Sequence, residues 1–337
     1  MASRPGDQRP CERASDCYSD LRSFRAAVGA QVISEAVAST PSRQQKRGSL
    51  RKRLISGCAA GGFGLLVVGL GGWWFTLAVC VIVHLGLLEF FRMAQFKGIR
   101  PATKTTLVAC QVLLLSTQWA VQGGLPQGLA DAVLPISGAA ICAWLLLQPV
   151  TGSIADIAAS IFGLFYLGFL PSHWVQLRNL SDPSLTPALA QLPESWSWCS
   201  SGLAITLSTC LMIVASDIGS WGFGQCFGRH QLSPISPGKT VEGALGGVVC
   251  SMLLGLLSGR LLGWPLMGLP GMLLGALVAL IALVGDLTES MMKRDAGVKD
   301  SGDALPGHGG ILDRIDSYLF TPAVVVYVIT LVRSIQG

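Results

Sequence analysis

Acidic side chains are concentrated near the C-terminus of this 337-residue chain. Seven of its 19 acidic residues fall within 31 positions: Asp286, Glu289, Asp295, Asp300, Asp303, Asp313 and Asp316. Basic side chains and one histidine are interleaved with them: Lys293, Arg294, Lys299, His308 and Arg314. Magnesium prefers carboxylate and phosphate oxygens, and lysine and arginine hold phosphate charge. The cluster therefore predicts a metal-assisted site for phosphorylated substrates. The alternative is an ordinary charged loop held by salt bridges.

The spacing of these residues predicts that they lie on two helix faces. In a helix that continues the apolar stretch 261–285, one face would carry positions i, i+3, i+4 and i+7. These positions are Asp286, Glu289, Ser290 and Lys293. After a glycine-rich segment, a second helix would carry Asp313, Asp316 and Ser317 at i, i+3 and i+4. We expect the two carboxylate-bearing faces to converge at the cytoplasmic mouth of the protein.

A second polar loop contains Ser236, Lys239 and Thr240 just before an apolar stretch. Backbone N–H groups at a helix start, a lysine and hydroxyls all favour an anion, so the loop is a candidate phosphate cradle. A turn in which Thr240 caps the following helix is an equally good interpretation. The loop is not a Walker A motif, which requires Gly-x4-Gly-Lys-Ser/Thr after a strand.

Two further residues are candidates for substrate binding. Asp217 ends an uncharged run of 22 residues, and we expect it near the same membrane depth as Asp286. His308 lies within Gly-His-Gly-Gly, where it either contacts phosphate or caps a turn.

The composition of the chain indicates which elements must position these groups. Hydrophobic residues make up 51% of it and charged residues 13%, with a mean hydropathy of +0.55. An ordinary soluble domain has about 25% charged residues. A water-soluble enzyme is therefore excluded, and so is a disordered chain, which needs low hydrophobicity and high net charge. The ten cysteines include no Cys-x-x-Cys pair and are too sparse for a disulfide scaffold.

Uncharged stretches along the chain predict its membrane spans, because crossing a bilayer takes about 20 mostly apolar residues. The stretches without Asp, Glu, Lys or Arg are 54–88, 105–130, 132–155, 157–177, 195–216, 243–259, 261–285 and 317–332. The first is long enough for two spans separated at Gly71-Gly72. We predict an all-α, polytopic transmembrane helical bundle of about nine spans.

The distribution of lysine and arginine predicts the orientation, since short cytoplasmic loops hold an excess of both. A basic run at 43–53 precedes the first span, which places the N-terminus in the cytoplasm. Counting forward, the basic loops 92–104, 223–242 and 286–316 also face inside. Residues 1–50 are polar, lack the apolar core of a secretory signal peptide and are predicted to be a disordered cytoplasmic tail. Residues 51–337 are predicted to be the membrane-embedded domain.

The motifs of the two polar loops resemble those of the phosphatidate cytidylyltransferase, or CDP-diacylglycerol synthase, family. From Ser290 to Asp316 the chain reads Ser-x-x-Lys-Arg-x4-Lys-Asp-x-Gly-x2-Leu-Pro-x-His-Gly-Gly-Ile-x-Asp-Arg-Ile-Asp. The resemblance extends to Ser-Pro-Gly-Lys-Thr-Val-Glu-Gly at 236–243 and, more loosely, to Glu-Phe-Phe-Arg at 89–92. Gly238 departs from the pattern, because the family often has a second lysine there.

This resemblance implies a polytopic membrane enzyme that joins CTP and phosphatidate to give CDP-diacylglycerol and pyrophosphate. It also implies that Asp286 and Asp313 hold magnesium, with a second cation as a further expectation. The catalytic residues predicted here are Asp286, Asp313, Lys293 and Arg314. The predicted substrate-binding residues are Ser236, Lys239, Thr240, Lys299, His308 and Asp217. The predicted metal ligands are Asp286, Asp313, Glu289 and Asp316.

Two other functions remain as alternatives at this point. One is a CTP-dependent kinase that acts on a polyprenyl or other lipid alcohol. The other is a membrane transporter, which also places acidic residues among helices, although no internal repeat is present. Membrane lipid and a homodimer are expected partners, and nucleic acid is not, because no basic patch with interleaved aromatics occurs. A bacterial inner membrane is the expected location, with an organellar membrane as the alternative.

Overall fold

The computed structural model describes residues 57, 61–191, 193, 198–302 and 309–336. By its internal contacts the chain divides into residues 1–58 and 59–337, and the second unit contains every helix and strand discussed below. The predicted cytoplasmic tail, residues 1–50, lies outside the described residues. The described part is mostly helical, so the prediction of an all-α membrane protein is confirmed.

Eleven α-helices and one hairpin follow one another along the described chain. In order they are α1 (Gly61–Leu70), α2 (Gly72–Phe96), α3 (Thr103–Val121), α4 (Gln127–Leu146), α5 (Ile154–Leu164), α6 (Leu170–Arg178), α7 (Ser201–Phe227), β1 (Gln231–Ser233), β2 (Ser236–Thr240), α8 (Val241–Leu262), α9 (Leu269–Asp295), α10 (Leu312–Leu319) and α11 (Thr321–Gln336). A π-helical turn, Phe165–Phe169, joins α5 to α6. The two strands are antiparallel and directly precede α8.

Seven helical segments in the described chain are long and apolar enough to cross a membrane: Gly72–Phe96, Gln127–Leu146, Ile154–Arg178, Ser201–Phe227, Val241–Leu262, Leu266–Asp295 and Leu312–Ser334. Two of the nine predicted spans, α1 and α3, are not among these seven segments. The helix α1 is described over 10 residues only, and α3, with 19, is less apolar. The predicted break after the first span is present, because Gly71 has a φ of 65° and separates α1 from α2.

Contacts at the two ends of the bundle show that successive segments alternate in direction. At one end, Lys97 after α2 pairs with Asp295 at the end of α9, with 3.1 Å between Nζ and Oδ1. At the other end, Arg178 donates to the carbonyl oxygen of Val68 at 2.6 Å. The side-chain Nδ2 of Asn179 donates to Gln118 Oε1 at 3.0 Å at that same end. The polar loops around the hairpin and before α10 therefore share the end that contains Lys97.

Small residues allow α7, α8 and α9 to pack closely. A side chain at Gly255 would collide with the backbone of Gly271, and one at Gly247 would collide with Ser216. The Ser251 hydroxyl donates to the carbonyl oxygen of Gly275 at 2.7 Å, which joins α8 to α9. Without a hydrophobic driving force inside a bilayer, such close backbone contacts and interhelical hydrogen bonds supply much of the association energy.

The same device joins α9 to α10. Gly285 is buried, and a Cβ there would collide with the carbonyl oxygen of Asp316. Because Gly285 directly precedes Asp286, this contact fixes the approach of two acidic positions on different helices.

We predict that Gly285→Ala lowers stability by about 1–3 kcal/mol, the usual cost of adding a methyl group where no space exists. Gly222→Ala is the matched control, because Gly222 lies inside α7 with nothing within 4 Å of an added Cβ. An alanine is the better helix former, so the control should melt at the parent temperature or slightly above. Thermal unfolding of both variants in detergent tests this. Equal melting temperatures would show that α9 and α10 do not depend on this contact.

Candidate active site

A polar cavity of about 450 Å³ opens where α7, the hairpin, α8, α9 and α10 meet. Its polar lining includes four carboxylates, one lysine and several hydroxyls: Ser216, Asp217, Ser220, Lys239, Thr240, Asp286, Asp313, Asp316 and Ser317. The predicted convergence of two acidic helix faces is thus present. Asp217, which was expected at the depth of Asp286, lines the same cavity.

Three helices position the acidic side chains. On α7, Ser216, Asp217 and Ser220 lie within about one helical turn and reach the cavity together. The helix α9 continues to Asp295, as the spacing predicted, and carries Asp286. Asp217 and Asp316 both lie within electrostatic reach of Asp286. Three acidic side chains from three helices therefore line one space.

The hairpin brings a cation to these carboxylates. Lys239, on β2, forms an ion pair with Asp286, and both side chains are about a quarter to a third exposed, at 25% and 30%. The Thr240 hydroxyl accepts from the N–H of Gly243 at 3.1 Å, so Thr240 is the N-cap of α8. The capping interpretation is confirmed. Binding of phosphate by this loop stays a prediction, and Gly243 and Ala244 in the first turn of α8 border the cavity.

Glu242 holds the hairpin on α8. Its carboxylate accepts the backbone N–H of Arg229 at 3.1 Å and that of His230 at 3.2 Å. The His230 ring approaches the same carboxylate at 2.6 Å. These contacts tie the segment that enters the hairpin to the first turn of the helix that leaves it, and so they fix Lys239 over the cavity.

Asp313 is held by donors from its surroundings. Its Oδ1 lies 2.6 Å from the Lys293 ammonium. Its Oδ2 accepts from the N–H of Ser301, the Ser301 hydroxyl and the N–H of Gly310, each at 2.9 Å. Asp313 therefore lines the cavity and also holds the backbone at Ser301 and at Gly310.

Lys293 and Glu289 lie beside Asp313, outside the cavity lining. The Lys293 ammonium is 2.5 Å from Glu289 Oε2, and Glu289 is 1% exposed. Two carboxylates thus share one lysine. This places the predicted phosphate contact of Lys293 and the predicted metal contact of Glu289 one layer away from the cavity surface.

The remaining predicted residues have other positions. Ser236 lies on β2 but not in the cavity lining, and Lys299 and Arg314 are exposed outside it. His308 lies outside the described residues.

Sequence reasoning missed the structural importance of Glu89. This residue of α2 is 8% exposed, and its carboxylate accepts hydrogen bonds at the start of α10. A signal was present, because Glu89 ends the first uncharged stretch just as Asp217 ends a later one. What the signal does not provide is the partner, which lies 222 positions away.

Comparisons with known proteins assign this chain to a family. The sequence profile of the cytidylyltransferase family matches residues 51–332. The chain belongs to the cytidylyltransferase family. The matched region contains the hairpin, the cavity and Glu89, and the prediction of a nucleotidyltransferase is confirmed.

Several curated cytidylyltransferases are similar to this chain over most of their length. The phosphatidate cytidylyltransferase of Synechocystis sp. is 49% identical over 282 residues, which cover 81% of this chain and 93% of that protein. The chloroplastic phosphatidate cytidylyltransferase 4 of Arabidopsis thaliana is 37% identical over 83% of this chain and 73% of its own. The phosphatidate cytidylyltransferase of Bacillus subtilis is 28% identical over 84% of this chain and 98% of its own.

The donor set of this cytidylyltransferase cavity fits magnesium. Asp217, Asp286 and Asp316 offer hard carboxylate oxygens with Ser317 beside them. Among the described residues, no three or more His, Cys, Asp or Glu side chains form a ready-made metal cage. Magnesium usually keeps several waters and binds through one or two carboxylates plus substrate phosphates. The arrangement therefore suits a metal that enters with a phosphorylated substrate.

Proposed function

We propose that this protein transfers the cytidylyl group of CTP to phosphatidate, giving CDP-diacylglycerol and pyrophosphate. The observation that carries the proposal is the cavity in which Asp217, Asp286 and Asp316 face one another beside Lys239 at one end of apolar helices. A phosphorylated nucleotide from water and a phosphorylated lipid from the membrane can both reach such a position. The names of the relatives support this choice of substrates.

The reaction needs no nucleophile from the protein. A phosphate oxygen of phosphatidate attacks the α-phosphorus of CTP in line, and the bond to pyrophosphate breaks. The attacking group is already an anion, so the site must align two mutually repelling phosphates and neutralise their charge. Lys239 is positioned to hold phosphate once it releases Asp286. The Ser317 hydroxyl in the cavity lining offers a further donor.

The carboxylates of the cavity would hold the cation. We assign the metal to Asp286, Asp313 and Asp316, with Asp217 at the same cavity and room for a second cation. Bound magnesium would supply charge neutralisation for the reacting phosphates. Glu289 acts behind these residues, because its buried carboxylate holds Lys293 against Asp313. Lys299, Arg314, Ser236 and His308 stay as proposed phosphate contacts around the cavity.

The orientation and location belong to the same proposal. Nine spans with a cytoplasmic N-terminus would place the cavity on the cytoplasmic side, where CTP is available. The alternating contacts at the two ends of the bundle support this arrangement. A bacterial inner membrane is the proposed location and an organellar membrane the alternative, since the relatives include bacterial proteins and proteins named chloroplastic. A homodimer packed through small-residue helix faces is the proposed assembly.

Labelled CTP separates this function from its two alternatives. Purified protein is incubated with phosphatidate, magnesium and CTP labelled at either the α- or the γ-phosphate, and the lipid fraction is analysed. We expect α-label in CDP-diacylglycerol and no γ-label in lipid. Transfer of γ-label to a lipid alcohol would favour the kinase. No label in any lipid, with CTP intact, would favour the transporter.

Asp286→Asn should reduce turnover about 100-fold or more while the protein still inserts and folds, because it removes a carboxylate proposed to hold the cation that neutralises the reacting phosphates. Asp295→Asn is the matched control on the same helix, where the carboxylate pairs with exposed Lys97. Asp313→Asn should also nearly abolish turnover. Activity above about a tenth of the parent in either cavity variant would remove that residue from the metal site.

Lys239→Ala should mainly raise the CTP concentration needed for half-maximal rate, by about tenfold, since a charged hydrogen bond to phosphate is lost. Lys97→Ala is the control, because Lys97 is a lysine at the same end of the bundle with an ion pair outside the cavity. Initial rates over a range of CTP concentrations measure the effect. An unchanged CTP dependence would mean that the hairpin lysine is structural.

A further inference from the structure

Glu89 places a carboxylate at the beginning of α10 from a different helix. Its Oε1 accepts from the N–H of Ile311 at 2.9 Å, and its Oε2 accepts from the N–H of Leu312 at 2.9 Å. The first N–H groups of a helix have no partner inside the helix, and a negative charge there is also favoured by the helix dipole. The N-cap residue of α10 supplies no side-chain hydrogen bond. Glu89, on α2, therefore caps the N-terminus of α10.

Ser301 connects this cap to the cavity. Its hydroxyl lies 3.1 Å from Glu89 Oε2 and 2.9 Å from Asp313 Oδ2, and its backbone N–H also donates to Asp313. A hydroxyl carries one proton, so its hydrogen bond is shared between the two carboxylates. Ser301 is thus held between Glu89 on one side and Asp313 on the other.

The surrounding backbone leaves space for this carboxylate and little else. A Cβ at Gly302 would lie 2.7 Å from Glu89 Oε1, and one at Gly310 would collide with Ser301 and Glu89. Both glycines belong to the motif between Ser290 and Asp316. Their lack of a side chain lets the backbone at these two positions approach a buried acidic group closely.

We infer that Glu89 is a positioning residue for the reaction: by capping α10 and holding Ser301, it sets the helix that directs Asp313 and Asp316 at the cavity. It touches no reacting atom and acts through α10. The inference rests on the proposed function for its kinetic part only, because the capping itself is a property of the protein without substrate. A displacement of about 1 Å at a catalytic group can cost about 100-fold in rate.

The first test is hydrogen exchange without substrate. In Glu89→Gln the amide offers one oxygen in place of two and presents N–H groups to donors. We expect amides within 309–319 to exchange about tenfold faster than in the parent, while those of 269–282 in α9 stay unchanged. Asp156→Asn is the control: Asp156 is also a buried carboxylate that accepts backbone N–H groups, from Arg100 and Ser153, but at the start of α5. It should leave residues 309–319 at the parent rate.

The second test is the rate of cytidylyl transfer. Glu89→Gln should lower kcat by about 10- to 100-fold and leave the KM for CTP within about threefold, because the hairpin that bears Lys239 is untouched. If Glu89→Gln does not fold, Glu89→Asp keeps the charge with a shorter reach and should give the same pattern in weaker form. Parent exchange at 309–319 in whichever variant folds would overturn the inference. Faster exchange with parent kcat would also overturn it, whereas absence of any α-label transfer by the parent protein would overturn only the proposed function.

Discussion

Carboxylates that face one another at the ends of apolar helices repel, and this repulsion is the constraint on which the rest of the structure depends. An aspartate at the centre of a membrane helix costs about 3 kcal/mol, and a position near the boundary costs less. Asp217, Asp286 and Asp316 come from three helices and line one cavity. Of the described residues in that lining, Lys239 is the one basic side chain. The cavity therefore carries excess negative charge, which favours cations and the phosphates that accompany them.

Close helix contacts keep these charges in place. Glycine pairs between α8 and α9, such as Gly255 and Gly271, allow the backbones to touch, and Gly285 does the same between α9 and α10. Inside a bilayer such close backbone contacts are a main source of the free energy of helix association. Glycine therefore has a direct role in the packing of these helices. These interfaces have no space for an added methyl group. The positions of Asp286 and Asp316 therefore depend on how closely α9 packs against α10.

Periodicity predicted what depends on neighbouring residues and failed where distant segments meet. The helical spacing correctly placed Asp286 and Asp316 on converging faces, and the break at Gly71 followed from local sequence. Lys293 was expected at phosphate, but its ammonium lies between Glu289 and Asp313, an arrangement that depends on how α9 meets α10. The role of Glu89 depends on α2 reaching α10, and no local pattern contains that information. The number of spans was also hard to predict from the uncharged stretches, because α3 forms a helix of 19 residues without being strongly apolar.

Hydrogen bonds separate the acidic residues into structural and cavity groups. The Glu89 carboxylate accepts two backbone N–H groups and one hydroxyl. The Glu242 carboxylate accepts two backbone N–H groups before the hairpin and contacts the His230 ring. Asp286, in contrast, pairs with Lys239 in the cavity lining and accepts from no backbone N–H in the described chain. Asp313 belongs to both groups, since it lines the cavity while four donors hold it. Glu89 and Asp313 share the Ser301 hydroxyl, so a ligand that bound Asp313 would contact the same hydrogen-bond network that holds the start of α10.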